Sequence, residues 1–279
     1  MEYKAKIPKS NHNVSHKQPL KEILSLLVGI TAFIVIVYVV LGFLIDTTVD
    51  SISTETEIAI YKALSSDESI TSSETSTEIE KNTQGLLAEL LKCTDLGYPI
   101  NLSVDESNMV NAYAMPSGDI VLFQGLLDKV SSENGLAFVL AHEIAHFKNR
   151  DHLRAMGRTV IIVAISAFFG AQETEISTIM SPVVNFETAR YSQQRESKAD
   201  EIALDILNCH YGHVGGATEF FALIAEPEEK MDFSITHYFS SHPEAENRIT
   251  SIQRLAEEKG YEVRETHEKQ NELYENSNY

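Results

Sequence analysis

Residues 136–146 read Leu-Ala-Phe-Val-Leu-Ala-His-Glu-Ile-Ala-His, an apolar run that ends in the pattern His142-Glu143-Ile144-Ala145-His146. In a helix, positions i and i+4 lie on one face, so His142 and His146 can direct their imidazoles at a single point. Zinc accepts two neutral imidazoles and an oxygen ligand, and a catalytic site keeps its fourth position open for water. Glu143 would lie beside that water and is the candidate general base. The pattern predicts a metal site on a helix.

The pattern also arises by chance, and the two histidines would then be ordinary residues of a helix surface. The apolar run before them favours a buried helix, where an ionisable cluster needs a metal or polar partners. Glu196 and Asp200 lie at i and i+4, so a helix there presents two carboxylates on one face. We expect Glu196 to be the third ligand and Asp200 to accept the free N–H of a ligand histidine. The alternative is a solvated, charged helix face.

The longest apolar run is Ile23 to Ile45, 23 residues without a charged side chain. It can cross a hydrocarbon core of about 30 Å, and it is too long for the core of a signal peptide. We therefore expect a retained transmembrane helix over residues 23–45. Five lysines precede it and acidic residues are the first charges after it, so the positive-inside rule leaves the N-terminus in the cytoplasm.

The chain is strongly acidic, with 22 Lys and Arg against 41 Asp and Glu and a formal net charge of -19. This balance excludes a nucleic-acid partner that is held by neutralising phosphates. After residue 22 there are 17 basic and 39 acidic residues. Such a charge suits a soluble body that is held away from an anionic lipid surface.

Composition divides the chain into five parts. We expect a cytoplasmic tail at 1–22, the anchor at 23–45, and a Ser/Thr/Glu-rich stalk with at most one short helix at 46–76. A folded domain at 77–259 and a polar tail at 260–279 follow. Turn residues and β-branched residues between 99 and 123 predict a small sheet with a hairpin, and helical periodicity dominates afterwards. The predicted fold class is α+β, mainly helical.

Two features of the domain bear on its topology. Thr159 to Ala171 is apolar and uncharged, but 13 residues favour a buried or interfacial helix over a span. A single crossing would also separate Glu196 from the two histidines, so we predict none. Cys93 and Cys209 would both lie outside the cytoplasm, where a disulfide is possible, but their spacing does not establish one, and two small buried residues are the alternative.

Four blocks of sequence, in order, resemble the HtpX-type membrane-associated zinc metallopeptidases, gluzincins related to the CAAX prenyl endopeptidases. The blocks are Asn111 to Leu127, Ala141 to Asp151, Arg195 to Asp200, and Ser241-His242-Pro243 with Arg248-Ile249. The resemblance implies a zincin-like metallopeptidase core with a small β-hairpin beside the HExxH helix. It also implies one Zn2+ per chain held by His142, His146 and Glu196, with Glu143 as catalytic base and Asp200 in support.

The resemblance further suggests how substrate is held. The strand Asn111, Ala112, Tyr113 and Ala114 would border the cleft and pair with an extended peptide through main-chain hydrogen bonds. His242 is a candidate for polarising the scissile carbonyl or masking the zinc, but it can equally cap a helix that begins at Pro243. His237 and Tyr238 are weaker candidates for the same role.

The expected function is that of a zinc endopeptidase acting on extended or misfolded membrane and envelope proteins. The implied location is the bacterial cytoplasmic (inner) membrane, with a single span through the lipid bilayer and a periplasmic or extracytoplasmic catalytic domain. The alternative is a zinc-binding, proteolytically silent protein with a chaperone-like or scaffold role. The intact Glu143 argues against it, because a silent protein has no need of that carboxylate. Multi-span relatives carry extra membrane helices that this chain lacks, which leaves the natural substrate open.

Overall fold

The computed structural model of the chain describes residues 19–64, 78–97, 99–115, 117–172, 193–225 and 245–266. Within these ranges the helices are α1 (Pro19–Thr48), α2 (Thr54–Leu64), α3 (Glu78–Leu91), α4 (Gln124–Lys129), α5 (Glu133–Lys148), α6 (Asp151–Phe168), α7 (Gln193–Tyr211), α8 (Glu219–Ala225) and α9 (Ala245–Lys259). The strands are β1 (Asn101–Asp105), β2 (Ala112–Met115) and β3 (Asp119–Phe123). The described part of the chain is thus mainly helical with one small sheet, as its periodicity predicts.

The sheet has the order β1-β3-β2. β1 runs parallel to β3, whereas β2 and β3 form an antiparallel hairpin in which Ala112 pairs with Leu122 and Met115 with Asp119. Gly118 closes the turn with a φ of 95°, a backbone conformation that favours glycine. β2 is therefore an edge strand of the described sheet, and it packs against α5.

α5 is the central helix of the core. Ser132 begins it by accepting a hydrogen bond from the Gly135 N–H, and Glu219 of α8 in turn binds both the backbone N–H and the hydroxyl of Ser132. Every residue from Asn134 to Phe147 is buried. Its most extensive contact among the described elements is with α7. Burying one large apolar side chain stabilises the fold by about 1.5–3 kcal/mol. This helix pair is therefore a rigid support for the polar groups of the site.

A disulfide joins Cys93 to Cys209, with their Cα atoms 5.8 Å apart. Cys93 lies just after the end of α3, and Cys209 is in the last turns of α7. The bridge closes a loop between residues 116 positions apart and ties α7 to the first helix of the domain. The sequence left open whether the two cysteines form a disulfide, and the structure contains it.

The helix α1 contains the predicted anchor. Together with the 3-10 turn Val49–Ser51 it forms a helical segment, Pro19–Ser51, that is long and apolar enough to cross a membrane by length and composition. Most of its large apolar side chains are exposed. One side of α1 packs against α6.

Residues 46–64 do not form the loose stalk that their composition suggests. α2 lies on the domain, where Glu57 is fully buried and accepts a hydrogen bond from His152 of α6. Tyr61 of α2 donates to the sulfur of Met115, and Ile58 packs on the main core. Glu57, Ile58 and Tyr61 of α2 therefore have partners in the domain, and only residues 65–76 of the expected stalk lie outside the described residues.

The expected polar tail also begins later than residue 260. Tyr261 packs on the core, and the Val214 N–H donates to the Glu262 carbonyl at 2.8 Å. Residues 260–266 are therefore attached to the domain through the aromatic ring of Tyr261 and the backbone hydrogen bond to Glu262. The rest of that tail, like the cytoplasmic tail up to residue 18, lies outside the described residues.

Candidate metal centre

α5 and α7 bring three candidate ligands together. His142 and His146 lie one turn apart on α5, and Glu196 lies in the first turn of α7. Their ligand atoms all lie within 4.8 Å of one another, and all three residues are buried. The structure thus assembles the three residues that the sequence predicts from two separate motifs.

The spacing of these atoms fits a zinc ion. The two Nε2 atoms are 3.0 Å apart, and the Glu196 carboxylate oxygens lie 3.4 Å from His142 Nε2 and 3.5 Å from His146 Nε2. Zinc binds such ligands at about 2.0–2.1 Å, and two tetrahedral ligands at that distance lie roughly 3.4 Å from each other. Two imidazoles and one carboxylate are also a donor set that catalytic zinc sites use. The residues present therefore fit the metal that the sequence predicts.

Glu143 follows His142 on α5 and is buried, with 2% of its surface exposed. A carboxylate in this position is adjacent to the ligand pair and shielded from bulk water. Its expected role as general base is thus compatible with its location, and the role itself stays a prediction.

Asp200 lies next to the first ligand, as the spacing of Glu196 and Asp200 predicts. Its Oδ1 atom is 3.1 Å from His142 Nδ1, so the imidazole can donate to the carboxylate while Nε2 faces the other ligands. Burial raises the pKa of Asp200, but the nearby Arg248 and His142 outweigh it and leave that pKa lowered. Asp200 is therefore an anion suited to orienting His142.

The pKa of His142 is raised to about 9. Burial and the positive charge of Arg248 lower it, but hydrogen bonds and charge interactions with Asp200 and Glu196 outweigh them. Asp200 and Glu196 thus favour the protonated form of His142. A metal ion that binds to Nε2 must displace the proton from that nitrogen.

Arg248 is a buried residue of the site to which the sequence assigned no role. Its Nη1 atom lies 2.8 Å from a Glu196 oxygen, and its Nε donates to Asp200 at 2.9 Å. The guanidinium also stacks over the Phe221 ring at 4.3 Å. Arg248 thus holds the carboxylates of both Glu196 and Asp200. Its place in the fourth block of sequence was the only sign of importance, because nothing local shows that α9 reaches the metal ligands.

Asp151 is a second residue that sequence reasoning missed. His146 Nδ1 donates to Asp151 Oδ2 at 2.9 Å, so each ligand histidine is held by a carboxylate on the nitrogen that faces away from the other ligands. Arg150 precedes it with a φ of 53°, and this left-handed residue turns the chain sharply from α5 into α6. From sequence alone, an aspartate at the start of a helix is expected to cap that helix. Only the turn at Arg150 brings it back to His146.

The remaining predicted residues border this site or lie outside the described part. Asn111, Ala112 and Ala114 are buried and Tyr113 is partly buried, on or beside the edge strand that packs on α5. Their contact with substrate stays a prediction. His242, with the weaker candidates His237 and Tyr238, lies outside the described residues.

Comparison with known proteins gives the family. The profile of peptidase family M48 matches residues 74–256. Metalloprotease YcaL of Escherichia coli (strain K12) is 30% identical over 164 residues, which cover 56% of this chain and 62% of that protein. Metalloprotease LoiP of the same strain is 27% identical over 165 residues, with the same shares. The mitochondrial metalloendopeptidase OMA1 of Schizosaccharomyces pombe is 29% identical over 145 residues, which cover 51% of this chain and 42% of that protein.

This chain covers less than two thirds of the length of these relatives. The family match, however, spans more than half of the chain and contains the metal ligands, Asp151 and Arg248. This chain belongs to peptidase family M48.

Proposed function

We propose that this chain is a membrane-anchored, zinc-dependent endopeptidase that hydrolyses peptide bonds in extended or misfolded proteins of the membrane and envelope. The observation that carries the proposal is the meeting of His142, His146 and Glu196 within 4.8 Å, with Glu143 buried on the same helix. Family membership supports the reaction class. The substrates come from the sequence resemblance.

His142, His146 and Glu196 would hold the ion. Zinc supplies Lewis acidity there, which polarises the substrate carbonyl and lowers the pKa of water. Glu143 takes the proton from the attacking water and passes it to the leaving nitrogen. Asp200 and Asp151 keep the two imidazoles directed at one point, and Arg248 holds the Glu196 carboxylate toward them.

The edge strand β2 offers a way to bind substrate. β2 is an edge strand of the described sheet, which is the position where a peptide can add one more strand. An extended peptide that adds there is held by main-chain hydrogen bonds, which makes recognition depend little on its side chains. Unfolded segments meet this requirement more readily than folded proteins, in which most strands are already paired.

The location outside the cytoplasm rests on two observations. Five lysines precede the apolar run and acidic residues follow it. The disulfide between Cys93 and Cys209 is of a kind that persists in oxidising compartments. We therefore place the catalytic domain on the periplasmic or extracytoplasmic side of a bacterial inner membrane. The HtpX-type branch of the family stays a prediction from the four blocks of sequence, as does a role for His242 at the cleft.

Cleavage of unfolded casein by the full chain in detergent, supplied with zinc, tests the proposal. We expect Glu143→Gln to lower the rate by about 10²–10⁴-fold while the bound zinc stays the same. Glu133→Gln at the other end of α5 is the matched control, because Glu133 accepts a hydrogen bond from Tyr211 away from the metal. An unchanged rate in Glu143→Gln would rule out the mechanism. A zinc-loaded wild type without any cleavage would support the silent alternative.

A further inference from the structure

The second half of α6 is an apolar surface on an otherwise acidic protein. From Thr159 onward the helix has no charged side chain, and four large apolar side chains there are exposed. Val160 and Ile162 are 46% and 41% exposed, and Phe168 and Phe169 at its end are 84% and 60% exposed. Such a surface is unfavourable in water, so it requires a partner.

α6 lies antiparallel to α1, which fixes its position relative to the anchor. Arg154 binds Asp50 at 2.6 Å, and Arg158 binds Asp46 one turn earlier in α1. Gly157 permits this approach, because a Cβ there would lie 2.9 Å from Ile45. As α6 proceeds, it therefore passes residues that lie progressively deeper in α1.

The pairing continues along both helices. On α1 the partly buried residues recur at helical spacing, at Ile34, Tyr38 and Ile45. On α6, Ile161 is buried, whereas its neighbours Val160 and Ile162 are exposed. The face of α6 that does not contact α1 is the exposed apolar face.

The depth of α6 follows from helix geometry. Ile45 is the last residue of the apolar run, so Arg158 lies at the outer edge of the segment that would span the membrane. Phe168 is ten residues further along α6, or about 15 Å at 1.5 Å per residue. It therefore lies near the middle of a hydrocarbon core of about 30 Å.

The end of α6 is compatible with surroundings without water. Gly170, with a φ of 88°, turns the chain so that the Ala171 N–H donates to the Ser166 carbonyl and the Gly170 N–H to the Ala167 carbonyl, both at 3.0 Å. Carbonyls at a helix end that would otherwise need water are thus satisfied within the chain. In lipid, each unsatisfied carbonyl would cost several kcal/mol.

Basic residues gather where α1 leaves its apolar run. Six of the 17 Lys and Arg that follow residue 22 lie there: Lys148, Arg150, Arg154, Arg158, Arg195 and Lys198. Four of them line a polar cleft of about 490 Å3 together with Asp46, Asp50 and Asp151. Carboxylates balance part of this charge, because Arg154 pairs with Asp50, Arg158 with Asp46 and Arg195 with Asp151. The cluster of six basic residues nevertheless lies at the level where a lipid leaflet has its phosphate groups, although the rest of the domain is acidic.

We propose that α6 enters the outer leaflet beside α1, with the apolar face from Thr159 to Phe169 against lipid acyl chains and the cluster of basic residues at the phosphate level. The inference rests on the proposed membrane anchoring by α1. It preserves the topology of the site, because a helix that reaches about half the core does not cross to the other side. The peptidase domain then rests on the leaflet, contrary to the expectation from its net charge.

Depth measurements on spin labels test this inference in the full chain, reconstituted in vesicles of phosphatidylcholine and phosphatidylglycerol. Single cysteines at exposed positions of α6, in Val160→Cys, Ala164→Cys and Phe168→Cys, carry a nitroxide, and the native disulfide is kept oxidised. Collisions with oxygen report on lipid, and collisions with a water-soluble nickel chelate report on water. We expect depth to increase in that order, by about 12 Å from residue 160 to residue 168.

Two controls separate this inference from the proposed anchoring. Phe33→Cys, at a position 67% exposed on α1, must be deep in lipid, and Val263→Cys, at a position 74% exposed on the domain, must be accessible to nickel. A lipid-exposed residue 33 with a nickel-accessible residue 168 would overturn the placement of α6 alone. A nickel-accessible residue 33 would overturn the anchoring as well. Shielding of residue 168 from both reagents would show that protein covers this face, and would also overturn the proposal.

Discussion

Replacing Asp151 tests whether zinc affinity depends on the carboxylate behind His146. The carboxylate is 2% exposed, accepts from His146 Nδ1 at 2.9 Å, and lies 3.5 Å from Arg195. Asp151→Asn keeps an oxygen that can accept the same hydrogen bond but removes the negative charge. Asp151→Ala removes both, and leaves the His146 N–H without this acceptor.

The size of the effect follows from this difference. Loss of a group that orients a metal-binding histidine typically lowers metal affinity 10–100-fold. We expect Asp151→Asn to fall near tenfold and Asp151→Ala near 100-fold, or about 1.4 and 2.7 kcal/mol of binding free energy. His146→Ala, which removes a ligand, should lose more than either.

Competition with a fluorescent zinc chelator measures these affinities directly in the purified full chain. Asp205→Asn is the matched control, because Asp205 is a carboxylate of α7 that binds Lys259 and Tyr261 instead of a metal ligand. Its zinc affinity should equal that of the wild type. If Asp151→Ala bound zinc within twofold of the wild type, the contact with His146 would have no part in holding the metal.

Three further predictions concern other parts of the structure. Arg248→Lys cannot span Glu196 and Asp200 with a planar fork, so zinc affinity should fall about tenfold in the same competition assay, and wild-type affinity would contradict the role of Arg248. Cys93→Ser opens the disulfide and should lower the free energy of unfolding in urea by about 2–5 kcal/mol; reductant should destabilise the wild type equally but not the variant. Glu57→Ala leaves His152 buried without this partner and should cost about 1–3 kcal/mol in the same measurement, whereas an unchanged midpoint would show that α2 does not stabilise the domain.

Local patterns were sufficient to predict the elements and the three ligands. The i, i+4 spacing puts His142 and His146 on one helical face whatever the tertiary structure is, and the same rule pairs Glu196 with Asp200. The hairpin at β2 and β3 and the apolar helix α1 are likewise encoded by short stretches. What these features share is that each depends on residues close together in sequence.

The missed features depend on contacts between distant segments. Asp151 reaches His146 only because Arg150 turns the chain, and Arg248 reaches Glu196 only because α9 packs beside α7. The packing of α2 was missed because Ser, Thr and Glu suggest a solvated segment, whereas Glu57 is buried against His152. Net charge has a similar limit, since a sum over the domain does not show that six basic residues share one location.

In the proposed peptidase, the packing of residues 46–64 fixes the distance between the membrane and the metal site. Arg195 contacts Asp46 at the end of α1 and Asp151 beside the ligand His146, so few contacts separate the anchor from the active site. A peptidase on a long tether would sweep a wide volume and meet any unfolded chain within it. With α1 in a bilayer, this active site instead has a fixed height, and a peptide bond must be brought to that height before its sequence matters. The distance of a peptide bond from the membrane would then limit which substrates are cut, before the residues around that bond have any effect.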